Sequence, residues 1–466
     1  MTTDPARVAA GARALVHGLG RFGGGQEATK FLRRRGCQVR VADGSDAPAL
    51  REVAAAIGDD GIDWQLGRED LALLEDVDLV VTSPAIPDDN PLLLEARRRG
   101  LPTTQECELF LAAYPGRVVG VTGTNGKSST ATLLHRALSR GGVDALLGGN
   151  IGHSLLADED DWRADQVAVL ELSSFQLERL EPARALHGAV FTRIGQDHLD
   201  RHGTLQRYQA AKGRLAAAAR EFVVHAADDP IAAAFATPAA RRGQYHLAAP
   251  EPGGAGLVGG YVQVRPDSGP GQQVVHRDAL RLLGDFQVEN VMACSLAATW
   301  LGAGHDDVGL AAATAAPLRH RLQWLCSIGG VHVYDNGVST GADSTRLALR
   351  ALQGRGLRVR WLGGGKSKDG DYGAVAAAIT AGAASAHVFG AAARPFADAA
   401  QGHVPTTAHA GLDDALAAAL QAAQPGDALL FSPAFASFDQ YPNFRARAEE
   451  FLALLSERRA TSAAGG

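Results

Sequence analysis

Val118-Val119-Gly120-Val121-Thr122-Gly123-Thr124-Asn125-Gly126-Lys127-Ser128-Ser129 is the most informative stretch of this 466-residue chain. An apolar run enters a glycine-rich loop that ends in Gly-Lys-Ser, and a helical run follows from Thr130. This order is typical of a P-loop, in which backbone N–H groups hold phosphates, the lysine contacts the outer phosphates and the hydroxyl reaches Mg²⁺. The glycines stand at 120, 123 and 126, so the spacing departs from the usual form. A chance glycine-rich loop is the alternative, which the flanking strand and helix disfavour.

Apolar strand-like runs alternate with helical runs on both sides of the P-loop. Such alternation predicts βαβ units and parallel sheets, and therefore an α/β fold. Breaks at Pro115-Gly116 and at 318–322 divide the chain. We predict three domains: a Rossmann-like domain over 1–113, a P-loop-type ATP-binding domain over 114–318, and a second Rossmann-like domain over 319–466. The Gly- and Pro-rich segment 251–260 is predicted to be a loop.

The composition is that of a globular protein, with 46% apolar and 21% charged residues, and it excludes a disordered chain or a coiled coil. The 45 Lys+Arg against 51 Asp+Glu give a net charge of −6, which disfavours a nucleic-acid partner. No stretch of about 18 uncharged apolar residues is present and no signal-peptide pattern opens the chain, so we expect a cytoplasmic protein without a membrane partner. The four widely spaced cysteines are expected to be reduced thiols.

A second glycine-rich loop, Gly18-Leu19-Gly20-Arg21-Phe22-Gly23, follows the first predicted strand. It matches the GxGxxG pattern of dinucleotide sites, with Asp43 about 20 residues further on. The pattern alone leaves three readings open. The loop could bind NAD, it could bind the diphosphate of a nucleotide-linked substrate, or it could be a structural turn.

Acidic and imidazole groups follow two further predicted strands. Glu171 ends an apolar run in the P-loop domain, where a carboxylate suits a Mg²⁺ ligand, although a capping role is the alternative. His198 stands between Asp197 and Asp200 after the next strand, so it is a candidate for metal binding or catalysis. Lys212 lies in a helical run and, on its own, would be interpreted as a solvated surface residue.

Four motifs together resemble those of the Mur ligases, the ATP-dependent amino-acid-adding enzymes of peptidoglycan synthesis, and most closely their glutamate-adding branch. The motifs are Gly-Thr-Asn-Gly-Lys-Ser at 123–128, Leu-Glu-Leu-Ser-Ser-Phe-Gln-Leu-Glu at 170–178, Asp-His-Leu-Asp-Arg at 197–201 and Tyr-Gln-Ala-Ala-Lys at 208–212. The resemblance covers nearly the whole chain. It implies ligation of glutamate to UDP-N-acetylmuramoyl-L-alanine through an acyl phosphate, by a monomer.

The resemblance also implies roles for individual residues in holding ATP and two Mg²⁺ ions. The expected ATP contacts are Gly123, Thr124, Asn125, Gly126, Lys127, Ser128, Ser129, Asn290, His320, Arg321 and Asp335. The expected metal ligands are Ser128, Ser129, Glu171, His198 and Lys212. Lys212 matches the family's carbamylated lysine, which replaces its interpretation as a surface residue. Lys127, Glu171, His198 and Lys212 form the implied catalytic set.

The remaining implied contacts are to the UDP-linked substrate and to glutamate. UDP, rather than NAD, is expected in the first domain, and the residues implied there are Gly18, Gly20, Arg21, Phe22, Asp43, Ser83 and Pro84. The other implied substrate contacts are Asn150, Ser173, Ser339, Lys366, Lys368, Ser437, Phe438 and Phe444. Either Lys366 or Lys368 could hold a carboxylate of the incoming glutamate.

Three departures from the family pattern fall in the third domain, where the incoming amino acid is expected. Gly337 replaces a lysine in a segment that is one residue longer, Phe438 replaces a leucine, and the glycine-rich loop offers two lysines. Because the phosphate motifs are intact, the reaction type is predicted to be unchanged. A rebuilt amino-acid pocket favours L-glutamate, as used by one branch of the family, and D-glutamate is the alternative. A P-loop NTPase switch or an NAD-binding regulator is the non-ligase alternative.

Overall fold

The computed structural model describes residues 8–20, 23–59, 61–181, 183–367 and 370–464. Three β-sheets flanked by helices are present in this part of the chain, which confirms the predicted three-domain α/β architecture. Residue contacts group the chain into two compact units. The first unit comprises Met1–Gln196, Arg201–Val274 and Asn290–Ala312, and the second comprises Asp197–Asp200, Val275–Glu289 and Ala313–Gly466. The predicted domain limits themselves remain a prediction.

The first sheet contains five strands: β1 (Arg13–His17), β2 (Gln38–Asp43), β3 (Ile62–Leu66), β4 (Leu79–Thr82) and β5 (Thr103–Thr104). Its helices are α1 (Gly24–Arg34), α2 (Pro48–Ile57), α3 (Pro91–Arg98) and α4 (Glu106–Ala113). All strand pairs are parallel, in the order β3-β2-β1-β4-β5. The strand order reverses between β1 and β4, and open α/β sheets bind ligands at such a point. The loops after His17 and Thr82 therefore flank the expected ligand position.

The second sheet contains nine strands: β6 (Arg117–Thr122), β7 (Ala145–Gly149), β8 (Val167–Glu171), β9 (Leu186–Phe191), β10 (Ala219–Ala226), β11 (Arg241–Tyr245), β12 (Ala255–Val258), β13 (Tyr261–Val264) and β14 (Gln272–His276). Its order is β14-β13-β12-β11-β10-β9-β6-β8-β7. The P-loop strand β6 lies between β8 and β9, and all residues of β8 are buried, as in a parallel strand covered on both faces.

The helices of this region are α5 (Lys127–Arg140), α6 (Ser174–Arg179), α7 (Leu199–His202), α8 (Leu205–Ala218), α9 (Pro230–Ala233), α10 (Asp285–Trp300) and α11 (His305–Ala313). The prediction of a loop over 251–260 is wrong in part, because β12 lies within it and pairs antiparallel with β13. Gly259 and Gly260 both have positive φ, at 57° and 82°. Two such residues form the tight turn that a hairpin prefers, so these glycines join two strands rather than extending a loop.

The third sheet contains β15 (Gln323–Ile328), β16 (Val331–Asp335), β17 (Val359–Gly364), β18 (Ser385–Phe389), β19 (Thr406–His409) and β20 (Ala428–Ala434), in the order β15-β16-β20-β17-β18-β19. Its helices are α12 (Ala342–Gln353), α13 (Tyr372–Thr380), α14 (Ala393–Ala399), α15 (Leu412–Ala422) and α16 (Phe444–Ala464). One apolar cluster packs α12, α13 and α14 against the sheet. A separate apolar cluster packs α15 and α16 against it. The carboxyl ends of β16, β17 and β20 thereby lie side by side.

Among the described residues, no helix is both long enough and apolar enough to cross a membrane.

Candidate active site

The P-loop joins β6 to the 14-residue helix α5, whose first residue is Lys127. The Lys127 ammonium group folds back over the loop and donates to the carbonyl oxygens of Gly123, at 3.1 Å, and Thr124, at 2.9 Å. The hydroxyl-bearing Ser128 and Ser129 are buried in the first turn of α5. A helix N-terminus preceded by a glycine-rich loop attracts phosphate groups through its free N–H groups and its dipole. The predicted phosphate-binding residues therefore lie together.

Two positions of the P-loop have no room for a side chain and therefore require glycine. A Cβ atom on Gly123 would lie 1.7 Å from Thr192 Oγ1, and one on Gly126 would lie 2.5 Å from the Asn290 side-chain oxygen. Both residues also have positive φ, at 152° and 89°. Thr192 Oγ1 further donates to the Asn125 carbonyl at 2.6 Å. Asn290, predicted to contact the nucleotide, is thus buried directly against the loop.

Glu171 ends β8 beside the P-loop strand, because the register pairs it with Val121. The carboxylate is 1% exposed, and its Oε1 accepts a hydrogen bond from the Asn150 amide at 3.0 Å. Its Oε2 is buried without a hydrogen-bond partner among the described residues. A buried carboxylate oxygen without a partner is costly, and a cation would compensate that cost. The predicted metal ligand Glu171 and the predicted substrate contact Asn150 are therefore neighbours.

Lys212 lies on α8 and is 1% exposed, so it is not a surface residue. Its Nζ donates to the Gly123 carbonyl at 2.7 Å and lies 4.7 Å from the centre of the Tyr208 ring. The Tyr208 hydroxyl lies 2.8 Å from Thr124 Oγ1, which also accepts from the Gly195 N–H at 2.8 Å. Tyr208 belongs to the 208–212 motif, but the motif alone assigns it no role in the site. Lys212 is thus packed against the P-loop, and its role as a carbamylated metal ligand stays a prediction.

His198 has a left-handed backbone with φ of 53°, and its side chain is 41% exposed. Its Nε2 lies 3.4 Å from a carboxylate oxygen of Asp197. This segment is grouped with the second unit, whereas Glu171 and Lys212 belong to the first. Within the described ranges, no three His, Cys, Asp or Glu side chains converge on one point that could hold a metal ion. The role of His198 as a metal ligand stays a prediction.

The glycine-rich loop after β1 is held by the carboxylate of Asp43. Asp43 Oδ2 accepts hydrogen bonds from the N–H groups of Leu19, at 3.1 Å, and Gly20, at 3.4 Å. The predicted substrate-binding Asp43 therefore fixes the loop. Gly18 faces the loop after β4, since a Cβ on it would lie 2.8 Å from the Ser83 Cβ. The predicted contacts Arg21 and Phe22 lie outside the described residues.

Ser173 is the N-cap of α6. Its Oγ accepts from the Gln176 N–H at 3.2 Å, while the Gln176 side chain accepts from the Ser173 N–H at 2.9 Å. This reciprocal capping box fixes the start of α6, three residues after Glu171. The structure therefore gives the predicted substrate contact Ser173 a capping role next to the metal candidate.

In the second unit, the nucleotide-binding candidates His320 and Asp335 form a buried pair. The His320 Nδ1 lies 2.7 Å from Asp335 Oδ2, and its Nε2 lies 3.3 Å from a carboxylate oxygen of Glu449. Asp335 Oδ1 also accepts from the Gly337 N–H at 2.8 Å. Glu449 lies on α16, over 100 residues away in sequence, and no sequence pattern marks it. Arg321 follows His320 and is half-buried.

The segment that departs from the family pattern is tightly packed. A Cβ on Gly337 would lie 2.8 Å from the Ala448 Cβ and 3.0 Å from Asp335 Oδ1, so a lysine cannot replace this glycine without local movement. Ser339 is 1% exposed, with its Oγ 2.6 Å from Ser344 Oγ and 2.7 Å from Thr345 Oγ1. The local chain therefore uses small residues and buried hydroxyls where the family has a lysine.

The glycine-rich loop after β17 meets the segment after β20 through a backbone bridge between Lys366 and Ala436. The side chain of Lys366 is exposed, Ser437 is buried, and Phe438 is 73% exposed. Phe444 is half-buried at the start of α16. Lys368, the other candidate for a glutamate carboxylate, lies outside the described residues.

Arg447 on α16 was missed in the sequence. The guanidinium group is fully buried and its Nη1 donates to the Gly364 and Phe435 carbonyls, both at 2.9 Å. Burial lowers the pKa of Arg447 to about 10. The arginine thus ties the ends of β17 and β20 together below the loop that carries Lys366.

Comparison with known proteins assigns the family. Family models match the chain in three consecutive segments: Mur ligase MurD-like N-terminal domain over 12–105, Mur ligase middle domain over 121–298, and Mur ligase glutamate ligase domain over 320–435. UDP-N-acetylmuramoylalanine–D-glutamate ligase of Acidobacterium capsulatum is 35% identical over 457 residues, which cover 97% of this chain and 98% of that protein. The protein of the same name from Solibacter usitatus is 36% identical over 449 residues, covering 96% and 98%.

Solved structures share the fold. UDP-N-acetylmuramate-alanine ligase MurC of Thermotoga maritima superposes with a TM-score of 0.63 at 17% identity, covering 96% of this chain and 99% of that chain. The MurF ligase of the same organism, solved in complex with ADP, superposes with a TM-score of 0.59 at 16% identity. The match covers 98% of this chain and 97% of that chain. The chain therefore belongs to the Mur ligase family and is an ATP-dependent acid–amino-acid ligase.

Proposed function

We propose that the protein joins D-glutamate to the alanyl carboxylate of UDP-N-acetylmuramoyl-L-alanine in peptidoglycan synthesis, with cleavage of ATP to ADP and phosphate. The observation that carries the proposal is the arrangement of the half-buried Lys127 and the buried Glu171 and Lys212 around one P-loop. The relatives named above support the acceptor and the amino acid. The protein is proposed to act as a monomer in the cytoplasm, where ATP is available.

The chemistry requires an activated carboxylate. A free carboxylate cannot form an amide directly because oxide is a very poor leaving group. Transfer of the γ-phosphoryl group to the alanyl carboxylate gives an acyl phosphate, the glutamate amine attacks its carbonyl carbon, and phosphate leaves. Two anionic reactants must meet in this step, so stabilisation of the phosphoryl charge is the main task of the site. Lys127 and the N–H groups at the start of α5 would carry out that task.

The residues around the P-loop fit Mg²⁺. Glu171 Oε2 is a buried carboxylate oxygen without a hydrogen-bond partner among the described residues, and carboxylate and hydroxyl oxygens are the ligands that Mg²⁺ prefers. Glu171 with Ser128 and Ser129 would hold one ion, and Lys212, once carbamylated, would add a carboxylate for a second together with His198. Bound Mg²⁺ supplies neutralisation of phosphate charge. Among these groups, the Glu171 carboxylate is oriented by the hydrogen bond that the Asn150 amide donates to its Oε1.

The choice of D-glutamate corrects the expectation drawn from the third domain. The local departures at Gly337 and Phe438 favoured L-glutamate, but the relatives at 35% and 36% identity are named for D-glutamate and give L-glutamate no support. The packing around Gly337 explains why a lysine is absent without bearing on the handedness of the substrate.

The enantiomers can be compared in one assay. With ATP and UDP-N-acetylmuramoyl-L-alanine present, phosphate release and product mass are measured for D- and for L-glutamate separately. We expect kcat/KM for D-glutamate to exceed that for L-glutamate by at least roughly a hundredfold, since a pocket built for three polar groups rejects the mirror image. Equal or preferential use of L-glutamate would contradict the proposed substrate.

A further inference from the structure

Two arginines of the central region hold the loop that follows β4, where the strand order of the first sheet reverses. Arg179, at the end of α6, donates from Nη1 to the Ser83 carbonyl at 3.2 Å and from Nη2 to the Ile86 carbonyl. Arg201, on α7, donates from Nη1 to the Ala85 carbonyl at 3.2 Å. Its Nη2 donates to the carbonyls of Pro84, at 3.3 Å, and Ile86, at 3.0 Å. Four consecutive carbonyl oxygens, from 83 to 86, thus bond to two guanidinium groups.

The two arginines are themselves fixed. The Arg179 side chain is 10% exposed and pairs with Asp88, with Nε 3.0 Å from Oδ1. Burial lowers the pKa of Arg179, and the Asp88 carboxylate opposes that shift. Arg201 is 12% exposed, lies over the Phe175 ring at 5.2 Å and has Nη2 3.5 Å from a carboxylate oxygen of Glu178. Both guanidinium groups are therefore ordered by packing and charge rather than extended into solvent.

The held loop faces the glycine-rich loop after β1. Gly18 approaches it so closely that a Cβ would lie 2.8 Å from the Ser83 Cβ and 2.9 Å from Ile86 Cδ1. A shift of Ser83–Ile86 would therefore disturb both loops at the ligand edge of the first sheet. Carbonyl oxygens that are bonded to guanidinium groups also cannot turn towards an anionic diphosphate, which they would repel.

The same elements reach the P-loop. Glu178 Oε1 lies 3.6 Å from His202 Nδ1, and the His202 ring packs edge-on against Tyr208 with a centroid distance of 5.5 Å. The Tyr208 hydroxyl in turn lies 2.8 Å from Thr124 Oγ1 of the P-loop. Packed and charged side chains thus connect the loop after β4 with the phosphate-binding loop inside one compact unit.

We infer that Arg179 and Arg201 are positioning residues that set the UDP-substrate loop Ser83–Ile86 at a fixed place relative to the P-loop. The inference rests on the proposed function, because it assumes that the UDP-linked substrate binds at this edge. Neither arginine needs to touch substrate. They act through four carbonyl oxygens, and their loss would displace the loop while leaving the nucleotide-binding residues in place.

The test compares Arg179→Gln and Arg201→Gln with wild type in two calorimetric titrations, one with UDP-N-acetylmuramoyl-L-alanine and one with ADP. We expect each variant to bind the UDP substrate at least roughly tenfold more weakly, since displacements of about 1 Å carry costs of this order or more. KM for the UDP substrate should rise in parallel, whereas ADP affinity and KM for ATP should stay within about twofold. Because both arginines hold the Ile86 carbonyl, the double variant should lose less than the product of the two single losses.

Arg97→Gln is the matched control. Arg97 donates to the same Asp88 carboxylate at 2.8 Å but makes no contact with the 83–86 carbonyls among the described residues, and it is 48% exposed. It should bind both ligands as wild type does. If Arg179→Gln fails to fold, Arg201→Lys serves instead, because one ammonium group cannot span the three carbonyls and should still weaken UDP-substrate binding.

The outcomes separate the two levels of the proposal. Wild-type affinity for the UDP substrate in the folded Gln variants would overturn the positioning role, and so would an equal loss of ADP affinity, which a general loosening of the fold would cause. Failure of wild type itself to bind the UDP substrate would instead contradict the proposed function.

Discussion

Lys127→Ala is expected to lower kcat by at least roughly a thousandfold, because removal of one preorganised charge from a phosphoryl-transfer site costs several kcal/mol. The ammonium group lies over the P-loop, bonded to the Gly123 and Thr124 carbonyls. It is positioned to turn to the outer phosphates of ATP. The UDP-substrate edge lies on another sheet, so its affinity should stay within about twofold of wild type. Steady-state kinetics and a UDP-substrate titration check both parts.

The control for Lys127→Ala is Lys30→Ala. Lys30 is 42% exposed and pairs only with Glu27 among the described residues, at 2.7 Å. This variant should retain wild-type kcat. Loss of UDP-substrate binding in Lys127→Ala would contradict the assignment of ATP to the P-loop and of the UDP substrate to the first sheet.

Lys212→Ala is expected to lower kcat by at least roughly a hundredfold, through loss of a metal-binding carboxylate if Lys212 is carbamylated as proposed. The amine is 1% exposed and held at 2.7 Å from the Gly123 carbonyl, so its environment is set by the P-loop. Wild type incubated with ¹³C-bicarbonate should show a carbamate carbon resonance in the NMR spectrum. The Ala variant should lack it, and high bicarbonate should not restore its activity.

Lys30→Ala again provides the comparison, since it should keep both the resonance and the activity. A fully active Lys212→Ala protein would remove the carbamate assignment. A resonance that persists in that variant would place the carbamate on another group.

Local sequence was sufficient to predict that the candidate phosphate-binding residues lie together. The glycines at 123 and 126, Lys127 and the two serines form one loop and one helix turn, whose geometry depends on neighbours in the chain. Glu171 could be added because the ends of parallel strands share one edge of a sheet, and the register indeed sets it opposite Val121.

Contacts between distant segments could not be predicted in this way. Arg179 and Arg201 contact the loop after β4 across 93 to 117 positions of sequence, and no short motif predicts such a pairing. Asp43 is predicted to contact the UDP end of the substrate, but its hydrogen bonds to the N–H groups of Leu19 and Gly20 were not predicted. Arg447 looks like an ordinary helical arginine, but it is buried under the loop of Lys366.

Amino-acid handedness is a further limit of the sequence pattern. The absence of a lysine at 337 is a matter of space, because Ala448 and Asp335 lie where its Cβ would be. The absence of a lysine side chain indicates that the amino-acid pocket differs from that of the family. The handedness of the substrate, however, depends on where the pocket places three groups around one carbon. The identity of residue 337 therefore could not decide between L-glutamate and D-glutamate.

The transfer of one oxygen atom tests the proposed chemistry most directly. UDP-N-acetylmuramoyl-L-alanine carrying ¹⁸O in both alanyl carboxylate oxygens is incubated with ATP, Mg²⁺ and D-glutamate, and the released phosphate is analysed by mass spectrometry. Because the acyl phosphate forms on one carboxylate oxygen and breaks at the C–O bond, we predict one ¹⁸O in each phosphate and one in the new amide. Release of unlabelled phosphate, or release from ATP without the UDP substrate, would contradict the account and indicate a simple NTPase.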